Sequence, residues 1–353
     1  MCGIVGCAGR QPVASLLVDG LKALEYRGYD SAGVALSETG GLLVIKKKGR
    51  VSSLEDEIKK VLPKGTTGIG HTRWATHGEP SDENAHPQVS ENVDIAVVHN
   101  GIIENYAPLK KWLIEEGYEF RSETDTEVVV HLLSYYYKGD LKQAMLQAVS
   151  RLSGSYALAA ICAKEPGKIV CTRRESPLVV GFGQGGNYLA SDVSALIKHT
   201  RDVCFLGEND IDCDGNPVNR EHFRVDWDIS AAEKGGYEHF MLKEIFEQPQ
   251  ALKSTIVPRI FEGRIRFDGI GEDFLRSVKR IVICACGTAY HAGLVGRRWI
   301  ESFARVPVEA DIASEYRYRD PILSPEDLCV VVSQSGETAD TIAALRTFKK
   351  GGG

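Results

Sequence analysis

Several absences narrow this chain before any motif is considered. Its longest apolar runs, such as Ile281–Cys286, have only the length of a strand, so no segment reads as a membrane span. No basic stretch precedes the apolar start at Cys2–Val5, so no secretory signal is expected. No block of like charges occurs and the net charge is −6, which argues against a nucleic-acid partner. The nine cysteines are odd in number and contain no C-x-x-C pair. That pattern points to reduced thiols in a cytoplasmic protein rather than a disulfide framework or a zinc site. Cys284-x-Cys286 reads as strand packing. Neither H-E-x-x-H nor G-x-x-x-x-G-K-[ST] occurs, which disfavours a zinc peptidase and a P-loop nucleotide site. What remains is an ordinary soluble composition, 43% hydrophobic and 25% charged over 353 residues, enough for about two domains.

Patterning divides the chain into two styles. Up to about residue 225, short apolar runs alternate with amphipathic segments. Strands are expected at Cys2–Ala8, Val34–Leu36, Leu42–Lys47, Ile69–His71 and Asp94–His99, the last ending in an Asn100-Gly101 turn. Helices are expected at Val13–Glu25, Ile102–Glu116, Thr126–Tyr137 and Leu141–Leu152, with Thr124 and Glu127 forming a capping box. Ser155–Ala163 and Lys168–Thr172 read as a strand pair that Leu178–Gly181 and Tyr188–Ser191 continue. This mixture predicts an α+β layered domain. Asp226–Tyr237 is polar and reads as a linker. After a helix at Glu238–Ile256 the order becomes strand–helix–strand. Continuous apolar strands at Arg280–Ala285, Val306–Ala310 and Leu328–Val332 and helices at Tyr290–Phe303 and Ala339–Lys349 predict a doubly wound parallel sheet. That sheet reads as incomplete, with an unfinished edge prone to aggregation.

Cys2 is the leading chemical candidate. Removal of Met1 would put a thiol and a free α-amino group on one residue. An α-amino pKa of about 7.7–8.0 leaves a useful neutral fraction to act as base. The plain alternative is a buried, inert second-position cysteine. Three polar loops could complete a site: Glu25–Gly33, His71–Gly78 and His99–Gly101. Asn100 and the Gly101 N–H have the chemistry of an oxyanion hole, although a hairpin turn explains them equally. Arg73 could clamp a carboxylate. Asp125 could hold an ammonium or simply sit at a helix start. His71, His77, His86 and His99 lack a metal-ligand pattern, and no metal is expected. In the second region, Cys286-Gly287-Thr288 and Ser333-Gln334-Ser335-Gly336-Glu337-Thr338 each lie between a buried strand and a helix start. Such positions suit a phosphate, and capping alone is the alternative.

Taken in order, Cys2–Gly6, Glu25–Gly33, His71–Gly78, His99–Asn105, Ser122–Glu127, Ala285–Thr288, Glu315–Arg319 and Ser333–Thr338 resemble the glutamine–fructose-6-phosphate aminotransferases (isomerizing), the glucosamine-6-phosphate synthases. The resemblance runs from residue 1 to about residue 350. It implies an N-terminal-nucleophile hydrolase fold, an αββα sandwich, at 1–225, a linker at 226–237, and a partial α/β sugar-isomerase (SIS) domain at 238–353. It implies that Cys2 attacks the glutamine amide while Asn100 and Gly101 stabilise the oxyanion. Arg73 and Asp125 would bind the glutamine carboxylate and amino group, and Arg27, Tyr29, Trp74, Thr76 and His77 would close the pocket. Cys286, Gly287, Thr288, Ser333, Gln334, Ser335 and Thr338 would bind fructose 6-phosphate. The family implies no cofactor, a homodimer or larger homo-oligomer in the full-length protein, and a role in amino-sugar biosynthesis. The family's Schiff-base lysine, isomerising glutamate and ring-opening histidine have no counterpart in this sequence, so glutamine hydrolysis alone is expected of it. Amidophosphoribosyltransferase and asparagine synthetase also start at a nucleophilic cysteine, but the Ser-rich loops disfavour both. A non-catalytic sugar-phosphate binder with an inactive glutaminase domain is the other alternative.

Overall fold

The computed structural model describes residues 2–75, 77–207, 211–212, 222–225, 237–267, 269–334, 336 and 338–352. The chain divides into two units, Met1–Ala232 and Glu233–Gly353. All of the expected linker except Tyr237 lies outside the described residues. Among the described residues, no helix is long and apolar enough to cross a membrane.

The first unit runs β1 (Gly3–Gly9), α1 (Ala14–Leu24), β2 (Ser31–Glu38), β3 (Gly41–Lys48), α2 (Val51–Val61), β4 (Thr67–Arg73), β5 (Gln88–Val89), β6 (Ile95–Ile103), α3 (Tyr106–Glu115), α4 (Glu127–Tyr136), α5 (Leu141–Val149), β7 (Gly154–Cys162), β8 (Val170–Arg174), β9 (Val179–Gly183), β10 (Gly186–Ala190), β11 (Asp202–Phe205), β12 (Ile211–Asp212) and β13 (Phe223–Arg224). Among the described residues two sheets form, in the orders β13-β11-β9-β10-β1-β4-β2-β3 and β12-β8-β7-β6-β5. Strand alternation builds the layers. Ile4 of β1, Ile69 of β4, Ala96 and Val98 of β6 and Ala157 and Ala159 of β7 form the core between the sheets. The opposite face of β1, with Val5 and Cys7, packs under α1 and α2. The opposite face of β6, with Ile95 and Val97, packs under α3, α4 and α5. The result is the αββα sandwich that the resemblance implies.

Four sequence expectations need correction. Asn100-Gly101 is no turn: β6 passes through it, pairing Asn100 with Ala157 and Gly101 with Tyr156. The extension continues to Ile103, whose N–H donates to Asp125 Oδ2 at 2.7 Å, and α3 starts only at Tyr106. Thr124 and Glu127 form no capping box. Glu127 instead accepts from the N–H groups of Arg121 and Ser122 and from the Ser122 hydroxyl. Finally, β9 and β10 do not continue the β7–β8 pair but join β1 in the larger sheet. The helix α2 was legible from Val51, Leu54 and Ile58, which are buried at helical spacing, but was not expected.

The second unit runs α6 (Phe240–Ile256), β14 (Ile260–Phe261), β15 (Arg264–Ile265), α7 (Glu272–Ser277), β16 (Arg280–Ala285), α8 (Gly287–Phe303), β17 (Val308–Ile312), α9 (Ala313–Tyr316), β18 (Asp327–Val332) and α10 (Ala339–Lys350). β16 lies between β17 and β18, parallel to both. Its core is small: Val282, Cys284, Ala313, Tyr316, Ala344 and Phe348. The chain steps from β16 to β17 on one side and returns to β18 on the other. The switch point therefore lies at the carboxyl ends of β16 and β18, where open α/β sheets bind ligands.

Candidate active site

Cys2 immediately precedes β1. The antiparallel register sets Gly3 opposite Thr72 and Ile4 opposite His71, which brings Cys2 to the end of β4. There the Trp74 N–H donates to Cys2 Sγ at 3.2 Å, and the Trp74 carbonyl lies 3.5 Å from the same sulfur. The second sheet contributes Asn100, whose Nδ2 donates to the Cys2 carbonyl at 3.1 Å. Burial pushes the Cys2 thiol up, while the Trp74 N–H and the Arg73 charge pull it down. A thiol so placed stays protonated at neutral pH and needs a base to attack.

Arg73 is buried, and its Nη2 donates to the carbonyls of His77 and Gly78, the latter at 3.1 Å. Its Nη1 has no partner among the described residues. One edge of the guanidinium therefore holds the loop, and the other is available for an incoming oxyacid. Asp125 is buried, with Oδ2 occupied by the Ile103 N–H. Both residues interact electrostatically with Cys2. Asn100 is fixed on its other side: His71 Nε2 lies 3.0 Å from Asn100 Oδ1 and 2.9 Å from the His99 carbonyl.

Gly101 has φ +125°, and a Cβ there would lie 2.1 Å from the Ser155 carbonyl oxygen. Only glycine fits, so the backbone beside Asn100 can approach closely. Gly28 shows the same need, since a Cβ would lie 2.7 Å from the Arg73 carbonyl carbon. The loop that carries it is tied to the loop after β4: the Ala75 N–H donates to Asp30 Oδ2 at 2.8 Å, and the Asp30 N–H to the Arg73 carbonyl at 3.0 Å. Arg27 pairs with Asp192. Tyr29 and Trp74 are exposed and meet edge to face at 5.8 Å. His77 meets Tyr106 in the same way at 5.4 Å. Thr76 lies outside the described residues. The structure thus gathers Cys2, Arg73, Asn100 and Asp125, with Trp74 bonded to Cys2, His77 to Arg73 and Tyr29 against Trp74, whereas Arg27 is engaged by Asp192. Sequence reasoning missed the anchors Asp30, Asp192 and His71, because the partner of each is distant in sequence.

In the second unit, Cys286 precedes α8, and Gly287 opens it with φ +58°. Thr288 lies in the helix's first turn and is exposed. Ser333 Oγ lies 3.0 Å from Thr338 Oγ1 and accepts the Gly336 N–H at 3.1 Å. Gln334 is exposed beside them, and Ser335 lies outside the described residues. The two loops follow the adjacent parallel strands β16 and β18, so both end on the same edge of the sheet.

Sequence comparison adds an independent line. A family model described as glutamine amidotransferase domain matches residues 71–198, and one described as SIS domain matches 274–353. The glutamine–fructose-6-phosphate aminotransferase (isomerizing) of Caldanaerobacter subterraneus subsp. tengcongensis is 54% identical over 366 residues, taking in 100% of this chain and 60% of that protein. The chain belongs to the glutamine–fructose-6-phosphate aminotransferase family. The Clostridium tetani aminotransferase of the same name is 53% identical, again over 100% of this chain and 60% of its own. The chain spans about 60% of the length of the curated relatives it matches. Among solved structures, a glutamine phosphoribosylpyrophosphate amidotransferase from B. subtilis is 20% identical with a TM-score of 0.52, covering 95% of this chain and 69% of that one. That likeness concerns the fold alone. In this aminotransferase-family chain the matched amidotransferase span holds Arg73, Asn100, Gly101 and Asp125, whereas Cys2 precedes it.

Proposed function

We propose that this chain hydrolyses L-glutamine at Cys2, the ammonia-releasing half of a glutamine–fructose-6-phosphate aminotransferase. The observation that carries the reading is Asn100 Nδ2, 3.1 Å from the Cys2 carbonyl, with the buried Arg73 beside it. After Met1 is removed, the Cys2 α-amine takes the thiol proton as sulfur adds to the side-chain carbonyl of glutamine. Asn100 Nδ2 and the Gly101 N–H stabilise the oxyanion so formed. The tetrahedral centre collapses, the C–N bond breaks, and nitrogen leaves as ammonia with that proton. The γ-glutamyl thioester is then cleaved by water, with the amine again as base, giving glutamate and the free thiol. Arg73 holds the substrate α-carboxylate and Asp125 its α-ammonium, while Arg27, Tyr29, Trp74, Thr76 and His77 exclude water.

The unit Glu233–Gly353 is the sugar-phosphate half. Cys286, Gly287, Thr288, Ser333, Gln334, Ser335 and Thr338 would cradle the phosphate of fructose 6-phosphate at the switch point of the sheet. In the complete protein the ammonia would convert that sugar to glucosamine 6-phosphate. The domain limits we assign are 1–225 and 238–353. A cytoplasmic setting fits the reduced cysteines. A homo-oligomer fits the exposed Trp299 and Phe303 of α8.

Glutamate release by the chain lacking Met1, against Cys2→Ala, tests the first half. Equal rates would sink it, and would favour a sugar-phosphate binder with an inactive glutaminase domain.

A further inference from the structure

Three histidines distant in sequence lie together behind the oxyanion residue. His71 is on β4, His99 on β6, and His86 between them in the chain. All three are buried. The His86 ring lies 4.4 Å from that of His71 and 6.4 Å from that of His99, centroid to centroid. His71 Nε2 contacts two oxygens at once, the His99 carbonyl at 2.9 Å and Asn100 Oδ1 at 3.0 Å. A carbonyl oxygen only accepts, so Nε2 must carry the proton. The same proton then decides which end of the Asn100 amide faces His71, and it must be the oxygen. The Asn100 nitrogen is thereby left facing Cys2, where it donates to the Cys2 carbonyl. Turned the other way, the amide would aim lone pairs at the developing oxyanion and repel it.

On the reading that Cys2 hydrolyses glutamine, we propose that His71 is a positioning residue: its Nε2–H locks the Asn100 amide in the one rotamer that donates to the oxyanion. His86 packs against it as a neutral ring tilted by 47° and stacks on His99. Burial pushes His71 down to about 3 and His86 well below the usual imidazole range, with their neighbours His99 and Arg73 disfavouring further charge. His71 thus remains a neutral donor across the physiological range and takes no proton from the reaction.

The test uses the full chain with Met1 removed. His71→Leu should lower kcat for glutamate release by about 10²–10³-fold, the effect of losing one oxyanion donor, with KM within about threefold. Alkylation of Cys2 by iodoacetamide forms no oxyanion, and its rate should be unchanged. His71→Gln, which places an amide N–H near the Nε2 position, should recover most of the lost rate. In an Asn100→Ala background, His71→Leu should cost less than about twofold, because the group it positions is gone. An unaltered kcat in His71→Leu, or an undiminished penalty in the Asn100→Ala background, overturns the proposal. If the variants do not fold, ¹⁵N spectra of the wild-type imidazoles decide: a His71 ring without a proton on Nε2 rules it out. Wild-type chain that alkylates at Cys2 but releases no glutamate would sink the hydrolase reading instead, and the spectra would still judge the hydrogen bond.

Discussion

The two units place their candidate sites differently. In the first, Arg73, Asn100 and Asp125 are buried, and each is held by a named hydrogen bond from another strand or loop. In the second, Thr288 lies in the open on the first turn of α8, and Gln334 lies in the open on a loop whose Ser333 contacts Thr338 and Gly336. The difference follows from the chemistry each would do. Stabilising an oxyanion needs donors fixed before the charge appears and shielded from water. Holding a phosphate needs only backbone N–H groups and hydroxyls at a helix start, and these work half in solvent.

The contrast can be tested, largest effect first. Cys2→Ala should reduce glutamate release by at least about 10⁴-fold, as loss of a covalent nucleophile does. It should leave any melting shift produced by fructose 6-phosphate intact. A shift lost together with hydrolysis would mean that the two sites are not separate. Arg73→Lys should lower kcat/KM for glutamine by roughly 10–100-fold, since a point charge cannot both hold the loop carbonyls and clamp a carboxylate. Gly101→Ala should destabilise the first unit by about 1–3 kcal/mol, because alanine must take up φ +125° against the Ser155 carbonyl. A denaturant melt measures this, and an unchanged midpoint would show that β6 can relax.

In the second unit, the Arg280 guanidinium holds the Asp327 carboxyl below the usual carboxylate range. A depressed carboxylate pKa stabilises the fold above the unfolded value of about 3.9, and that contribution is lost as pH falls through the folded value. Asp327→Asn should therefore flatten the acid limb of this unit's melt below about pH 4 and leave it unchanged near pH 7 in slope. The smallest effect concerns exchange. Amides of β4 and β6 should exchange far more slowly than those of Cys286, Ser333, Gln334, Gly336 and Thr338. Equal protection would erase the contrast between the sites.

Much of this was legible in the chain. The apolar runs at Arg280–Ala285 and Leu328–Val332 gave the second sheet, with both loops on its carboxyl edge. Cys2, Arg73, Asn100 and Asp125 were candidates from residue chemistry. What misled was local reading where long-range pairing prevails. Asn-Gly is a strong turn signal, yet a nine-residue pairing with β7 carried β6 straight through it. Ser-x-x-x-x-Glu is no capping box, yet Ser122 and Glu127 bond because the chain curls ahead of α4.

The sequence by itself determined the family, the two fold classes and the chemical groups available, because each is written in residue type and spacing. Only the tertiary structure decided that Asn100 points its nitrogen toward Cys2. That direction depends on one proton on His71, twenty-nine residues away in the chain and 3.0 Å away in space. A side-chain amide has two nearly isosteric orientations, and composition and periodicity do not distinguish them; a buried partner does.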